Sequence, residues 1–189
     1  MQEDEAAGVR RRDAPVVFLG DSITEGGNWR RWFPDVWAVN AGVGGDTAAD
    51  VLARLASAVP DSGPAVPCAV LLLVGTNDLS WERSIAAITA DVAAILDGIR
   101  QRAPRAHVVV QGVMPREAAA TARVRELNAA YRALVDARPG VGYLDLWPAL
   151  AASDGTLLAH CTEDQLHLTQ AGYEAWLTML RPVVASLTP

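Results

Sequence analysis

The chain alternates two hydrophobic periods along its length. Short apolar runs rich in β-branched residues are typical of strands that are covered on both faces of a sheet. Between these runs, apolar residues recur every three or four positions, which predicts helices with one buried face. The predicted strands lie at residues 16–19, 37–39, 68–74, 108–110 and 141–144, and the helical stripes at residues 51–55, 85–99, 124–135 and 173–184.

The order of these elements predicts an α/β fold. Strands that alternate with helices favour a parallel sheet with helices on both faces, and ligands of such sheets bind beyond the carboxyl ends of the strands. Pro182 lies inside the last stripe, so we expect it to kink that helix or end it early. Thr47, followed by Asp50, predicts a capped helix start.

Composition limits the classes of function. The 189 residues, 51% of them apolar, are enough for one domain, which we place at residues 15–189 after a flexible polar leader at residues 1–14. The net charge of −6 argues against nucleic acid as a partner. All sixteen basic residues are arginine, which excludes lysine Schiff-base chemistry.

Location is predicted from the lengths of the apolar runs. The longest apolar run, at residues 68–74, is too short to cross a bilayer, so we expect no stable membrane insertion and a cytoplasmic protein. A secreted form whose signal has been removed stays open. Cys68 and Cys161 are expected to be reduced thiols.

Polar segments follow the first three predicted strands at one edge of the sheet: GDS at residues 20–22, GVGGDT at 42–47 and GTND at 75–78. DQLH at residues 164–167 precedes the closing helix. Ser22 is the candidate nucleophile, but a serine hydroxyl needs a base to take its proton. His167 is the candidate base, with Asp164 one helical turn earlier to orient its ring. His107 begins a strand behind this edge and is expected to be structural.

Three groups are candidate donors to an oxyanion. Gly44 and Gly45 could form a turn that presents backbone N–H groups, and Asn77 could add its side-chain amide. Each segment also has a purely structural interpretation as a turn or a helix cap. Four separate loops that each supply a residue type required for acyl transfer favour the catalytic interpretation.

A metal site is the competing interpretation of the last segment. His160, Cys161, Asp164 and His167 lie within eight residues. Their spacing matches neither a paired-cysteine zinc site nor the HExxH helix, so we expect no metal.

At these residues the sequence resembles the SGNH (GDSL-type) hydrolases, which have serine, glycine, asparagine and histidine in four blocks. FLGDSITEG, VNAGVGGDT, VGTND and DQLH match the blocks in order, and the resemblance spans residues 16–187. It implies a three-layer α/β/α flavodoxin-like fold with a five-stranded parallel sheet and an esterase that needs no cofactor. By position, it implies a triad and an oxyanion hole formed by Ser22, Asp164, His167, Gly45 and Asn77. Ile23 replaces the leucine of the GDSL name, and the GxSxG elbow of the common α/β-hydrolases is absent.

Within the family, the first two blocks resemble most the catalytic-subunit type of platelet-activating-factor acetylhydrolase. That resemblance implies a small-molecule acyl ester substrate, with acetyl esters favoured. Trp29 and Trp32 could wall the acyl or leaving-group site, or could pack in the core. An acyltransferase or thioesterase with the same residues, a weakly active binding subunit, and assembly as a homodimer all stay open.

Overall fold

Five parallel strands form one sheet in the computed structural model, which describes residues 14–187. The strand order is β2-β1-β3-β4-β5, and every neighbouring pair is parallel. Each predicted apolar run overlaps one strand, so the α/β, flavodoxin-like prediction is confirmed. The strands are β1 Val16–Gly20, β2 Ala38–Gly42, β3 Ala69–Leu73, β4 His107–Gln111 and β5 Val141–Leu144.

Helices follow the strands and include several too short to show a period in the sequence. The long ones contain the predicted apolar stripes. In chain order they are α1 Ser22–Glu25, α2 Trp29–Trp32, α3 Ala48–Ala53, α4 Leu55–Ala58, α5 Thr76–Ser80, α6 Ile85–Arg102, α7 Thr121–Asp136, α8 Trp147–Leu150, a 3-10 helix Ala159–Cys161, and α9 Gln170–Leu187.

The strands bury side chains on both faces, which gives the molecule three layers. Val17 and Leu19 of β1 join one apolar core, with α3, α6 and α7. Val16 and Phe18 of the same strand join the other core, with α2 and α9. This alternation along β1 is what period-two side-chain placement requires of a strand that is covered on both sides.

Pro182 does not end the last helix early, so that alternative of the prediction is wrong. Helix α9 continues through Pro182 to Leu187. Leu180 and Val184, on either side of the proline, are 0% and 2% exposed. We attribute the continuation to this packing, because burial of the apolar face can offset the one backbone hydrogen bond that proline removes.

The other predictions about the chain meet the structure only in part. The leader at residues 1–14 lies outside the described residues, apart from Ala14. Cys68 and Cys161 are both reduced thiols, as expected. Between residues 14 and 187, no helix combines the length and the apolar character needed to span a bilayer.

Candidate active site

Ser22 is the first residue of α1 and follows β1 after a single linking residue. The linker, Asp21, caps the helix because its Oδ1 accepts the Ile23 N–H at 3.0 Å. Gly20 is required before it, since a Cβ at that position would overlap the carbonyl oxygen of Leu73. Asp21 is 1% exposed, and this burial raises its pKa to about 7.

Asp164 and His167 meet in a loop, and not on one face of a helical turn as predicted. A bridge between Thr162 and Leu168 closes the loop, and Gln165 has φ 63°, which a helix does not allow. The side-chain pair nevertheless forms: His167 Nδ1 lies 2.7 Å from Asp164 Oδ2. Asp164 Oδ1 also accepts the His167 backbone N–H at 2.7 Å. The hydrogen bond from His167 holds the pKa of Asp164 well below its usual range.

Ser22 and His167 lie within hydrogen-bond distance although 145 residues separate them. Ser22 Oγ is 3.1 Å from His167 Nε2. A carboxylate accepts only from a protonated nitrogen, so the bond to Asp164 assigns a proton to Nδ1. In the neutral ring the lone pair is then on Nε2, on the side of the hydroxyl. The His167 and Asp164 side chains are each 52% exposed, so solvent reaches this pair.

Gly44 and Gly45 form an exposed turn beside Ser22. A Cβ on Gly44 would lie 3.9 Å from Ser22 Cβ. Gly45 has φ +84°, which glycine adopts without strain, and the space around it is open. Thr47 and Asp50 form the predicted capping box at the start of α3, directly after this turn.

Asn77, at the start of α5, reaches the same turn. Its Nδ2 donates to the carbonyl oxygen of Asp46 at 2.9 Å, which uses one of the two amide hydrogens. Within residues 14–187, the backbone N–H groups of Ser22 and Gly45 donate to no protein acceptor. The four predicted segments therefore lie together: Ser22 Oγ contacts His167, the glycine turn lies beside Ser22, and Asn77 bonds the residue after Gly45.

Sequence reasoning missed the contacts that hold these segments together. Asp78 Oδ2 accepts the Ala48 N–H at 2.9 Å, and its Oδ1 pairs with Arg83 at 2.5 Å. Asp46 pairs with Arg54 at 2.5 Å. In the sequence, only the presence of an aspartate in each of the first three motifs pointed to these contacts. Their partners could not be read from the sequence, because they lie up to thirty residues away in the chain.

The two tryptophans proposed as substrate-binding residues have different surroundings. Trp29 is 2% exposed, stacks on Phe18 at 4.1 Å and meets Trp176 edge-on. Of the two interpretations left open for Trp29, this burial favours packing in the core over a wall of the substrate site. Trp32 is half-buried and lines a cavity of about 510 Å³ between α2 and α9, whose lining includes neither Ser22 nor His167.

The residues of the alternative metal site do not converge. Within the described part of the chain, no three His, Cys, Asp or Glu side chains form a group that could hold a metal ion. Cys161 is fully buried. His107 is exposed at the first residue of β4, at the opposite edge of the sheet from Ser22.

Comparison with known proteins identifies the class. The model of the GDSL-like lipase/acylhydrolase family matches residues 18–175, and the chain belongs to this family. It is a carboxylic-ester hydrolase by that membership.

The relatives indicate which branch of the family it resembles. Platelet-activating factor acetylhydrolase IB subunit alpha1 of Bos taurus is 33% identical over 174 residues, which cover 88% of this chain and 73% of that protein. A GDSL-like lipase from Bacteroides thetaiotaomicron is 22% identical with a TM-score of 0.76, over 92% of this chain and 88% of the other. A carbohydrate esterase family 3 protein from Talaromyces cellulolyticus is 22% identical with a TM-score of 0.77, over 92% and 97%. The similarity to these two solved structures shows a shared fold alone.

Proposed function

We propose that the protein is a serine esterase that hydrolyses short-chain acyl esters through a Ser22–His167–Asp164 triad. The observation that carries this proposal is the continuous hydrogen-bonded line from Asp164 Oδ2 through the His167 ring to Ser22 Oγ, with distances of 2.7 and 3.1 Å. A nucleophile, a base in reach of it, and a third group that orients the base are the arrangement that activates a serine hydroxyl.

In the first half of the reaction, His167 Nε2 takes the hydroxyl proton as Ser22 Oγ attacks the ester carbonyl carbon. The ester C–O bond then breaks, and the leaving alcohol receives the proton from His167. Asp164 stays ionised throughout and stabilises the imidazolium, in keeping with its lowered pKa.

The negative charge that develops on the carbonyl oxygen needs donors that are already in place. We assign this role to the Ser22 N–H, the Gly45 N–H and the second hydrogen of the Asn77 amide. The two backbone groups have no protein acceptor among the described residues, so no internal bond has to break before they bind the oxyanion.

In the second half, water attacks the acyl-enzyme while His167 takes its proton, and Ser22 Oγ regains a proton as the acid leaves. The 52% exposure of the His167 side chain supports hydrolysis over transfer to another acceptor, because water has direct access to the base.

The acyl group is proposed from the relatives. The bovine relative is named an acetylhydrolase, and 33% identity over most of both chains supports a short acyl group here as well. A membrane or polymeric partner is not required for a small ester to reach an exposed site of this kind.

The decisive experiment is hydrolysis of p-nitrophenyl acetate by the wild type and by Ser22→Ala. We expect the variant to lose about 10⁴-fold or more in kcat, since removal of the nucleophile leaves only binding and the oxyanion donors. Ser186→Ala is the matched control, because its hydroxyl bonds the carbonyl of Val183 on the exposed side of α9.

Two outcomes would contradict the proposal. Hydrolysis that survives in Ser22→Ala would remove serine from the reaction. An acyl-chain series in which acetyl esters react no faster than long-chain esters would contradict the substrate class while leaving the triad in place.

A further inference from the structure

Arg54, which ends α3, lies behind the turn that carries Gly44 and Gly45. Its Nε is 2.5 Å from Asp46 Oδ2. Its Nη2 donates to two backbone carbonyls, that of Gly20 at 2.9 Å and that of Ala41 at 3.0 Å. The Arg54 and Asp46 side chains are 23% and 12% exposed, so water screens these contacts only in part.

Each of the three acceptors belongs to a segment of the proposed site. Gly20 is the last residue of β1, two positions before Ser22. Ala41 lies near the end of β2, from which the glycine turn departs. Asp46 is the residue after Gly45, and its carbonyl oxygen receives the Asn77 amide.

The guanidinium of Arg54 therefore contacts both strands that precede the first two motifs. Through Asp46, whose carbonyl oxygen accepts the Asn77 amide, it is also linked to the third motif. We propose that Arg54 is a positioning residue that fixes Gly45 and Asn77 relative to Ser22, so that the three oxyanion donors point at one place. This inference rests on the proposed function, since it assigns a role to Arg54 only if those donors act.

The chemistry of the side chain explains why arginine is needed. Its planar fork donates in several fixed directions at once, whereas a lysine ammonium is a compact point charge on a flexible stem. A lysine could keep the ion pair with Asp46, but we expect it to lose the simultaneous bonds to the carbonyls of β1 and β2.

The expected kinetic effect is specific to the transition state. Donors that are misplaced by a few tenths of an ångström to an ångström stabilise the oxyanion less, and a shift of that size can cost about 10²-fold in rate. Binding of the ground-state ester does not depend on these donors to the same degree. Arg54→Met and Arg54→Lys should therefore lower kcat by about 10- to 100-fold and change KM by less than about three-fold.

Arg102→Met is the matched control. Arg102 is also a partly buried arginine, 26% exposed, with an ion pair to Asp61 and bonds to the carbonyls of Val59 and Ala56. It lies at the end of α6, which precedes β4 and is at the opposite edge of the sheet from Ser22. We expect Arg102→Met to lose thermal stability as much as Arg54→Met does, with kcat near the wild-type value.

A coupling measurement separates positioning from general destabilisation. If Arg54 acts through the oxyanion donors, the double variant Arg54→Met/Asn77→Ala should lose much less in kcat than the product of the two single losses, because both changes damage the same interaction. Losses that multiply would overturn the inference. So would a kcat within two-fold of wild type for Arg54→Lys, or an equal fall in kcat for Arg102→Met. If Arg54→Met does not fold, Arg54→Lys with Asn77→Ala gives the same test.

Failure of this inference is distinguishable from failure of the proposed function. Hydrolysis that persists in Ser22→Ala removes the serine mechanism itself. Loss of activity in Ser22→Ala with unchanged kcat in both Arg54 variants leaves the esterase intact and removes only the role of Arg54.

Discussion

At the scale of single residues, the aspartates of the first three motifs have distinct structural tasks. Asp21 caps the helix that begins with Ser22. Asp46 pairs with Arg54, and Asp78 accepts the Ala48 N–H at the start of α3. None of these carboxylates contacts the hydroxyl of Ser22 by a hydrogen bond among the described residues. The aspartates next to Ser22, Gly45 and Asn77 thus hold the loops in position.

Burial of Asp21 makes a prediction about stability. Its folded-state pKa of about 7 lies above the ordinary value of 3.8, so the protonated carboxyl is favoured in the folded protein. The stability that this provides is complete below the ordinary pKa and is lost as the pH rises through about 7. Asp21→Asn keeps a capping oxygen but does not ionise, so relative to the wild type it should gain up to about 4 kcal/mol in free energy of unfolding between pH 4 and pH 8.

Urea unfolding of both proteins across that pH range measures the effect. Asp35→Asn, at an exposed position, is the control and should follow the wild type. A constant difference between Asp21→Asn and the wild type at every pH would contradict the prediction.

Removal of the Asn77 amide tests the proposed oxyanion hole. We expect Asn77→Ala to lower kcat for p-nitrophenyl acetate by about 10² to 10³-fold with little change in KM. Asn128→Ala also removes an amide bonded to a backbone carbonyl, that of Val113 at 2.8 Å, and should cost stability with kcat unchanged. An Asn77→Ala enzyme with wild-type turnover would remove this donor from the mechanism.

How far the sequence predicts the site differs from residue to residue. Ser22, Gly45, Asn77, Asp164 and His167 were predicted together because their chemistry is legible in short motifs, and the structure brings their segments together. Arg54 was not predicted, because a guanidinium bonded to backbone carbonyls of two strands leaves no local pattern. The sequence left the role of Trp29 open, because an aromatic residue near a nucleophile has the same sequence signal whether it packs in the core or lines the site.

At the scale of elements, regularity decided what could be predicted. All five strands and the stripes of the long helices follow from hydrophobic period. The four-residue helices α1, α2, α4 and α8 are about one turn each, which is too short for a period to appear, so their formation depends on tertiary contacts. Tertiary contacts also decide the structure around Pro182, because the packing of α9 outweighs a local helix-breaking residue.

Close packing of α1 on β2 makes a prediction at this scale. A Cβ on Gly42 would overlap the backbone nitrogen of Glu25 and lie 2.7 Å from the carbonyl carbon of Thr24. Neither can yield without moving α1, which begins at Ser22. Gly42→Ala should therefore cost about 1 to 3 kcal/mol of stability and lower kcat as well.

Thermal unfolding and p-nitrophenyl acetate kinetics together measure this. Gly142→Ala in β5 is the control, since its nearest contact would be Val109 Cγ2 at 3.4 Å, and it should change neither quantity much. A Gly42→Ala protein with wild-type Tm and kcat would contradict the prediction, because it would show that α1 can move to make room for the added Cβ.

At the scale of the whole molecule, the proposed site lies at the carboxyl ends of the strands, while the apolar cores on both faces of the sheet stabilise the fold. The position of β1 between β2 and β3 places the segment of Ser22 next to those of Gly45 and Asn77. The two cores pack on opposite faces of the same strands. The site consequently depends on the order of the strands in the sheet.

The proposed reaction requires no metal, and a chelator tests this on the intact protein. We expect EDTA in excess to leave kcat and KM for p-nitrophenyl acetate unchanged within about two-fold, because serine, imidazole and amide groups supply every step. Re-addition of Zn²⁺ to the dialysed protein should also have no activating effect. Loss of activity with chelator and recovery with zinc would favour the metal interpretation of the segment around His160.

The late position of Asp164 and His167 in the chain has a practical consequence. Suppose the chain is cut at the exposed turn of Ser153 and Asp154. The hydroxyl of Ser22 and all three proposed donors then fall in the first fragment, and the imidazole of His167 falls in the second. The second fragment also carries α9, whose Trp176 and Leu180 are almost fully enclosed in the intact fold. Neither fragment alone would cleave a chromogenic ester, so colour would report their reassociation, and two proteins fused to the fragments could be assayed for proximity to each other.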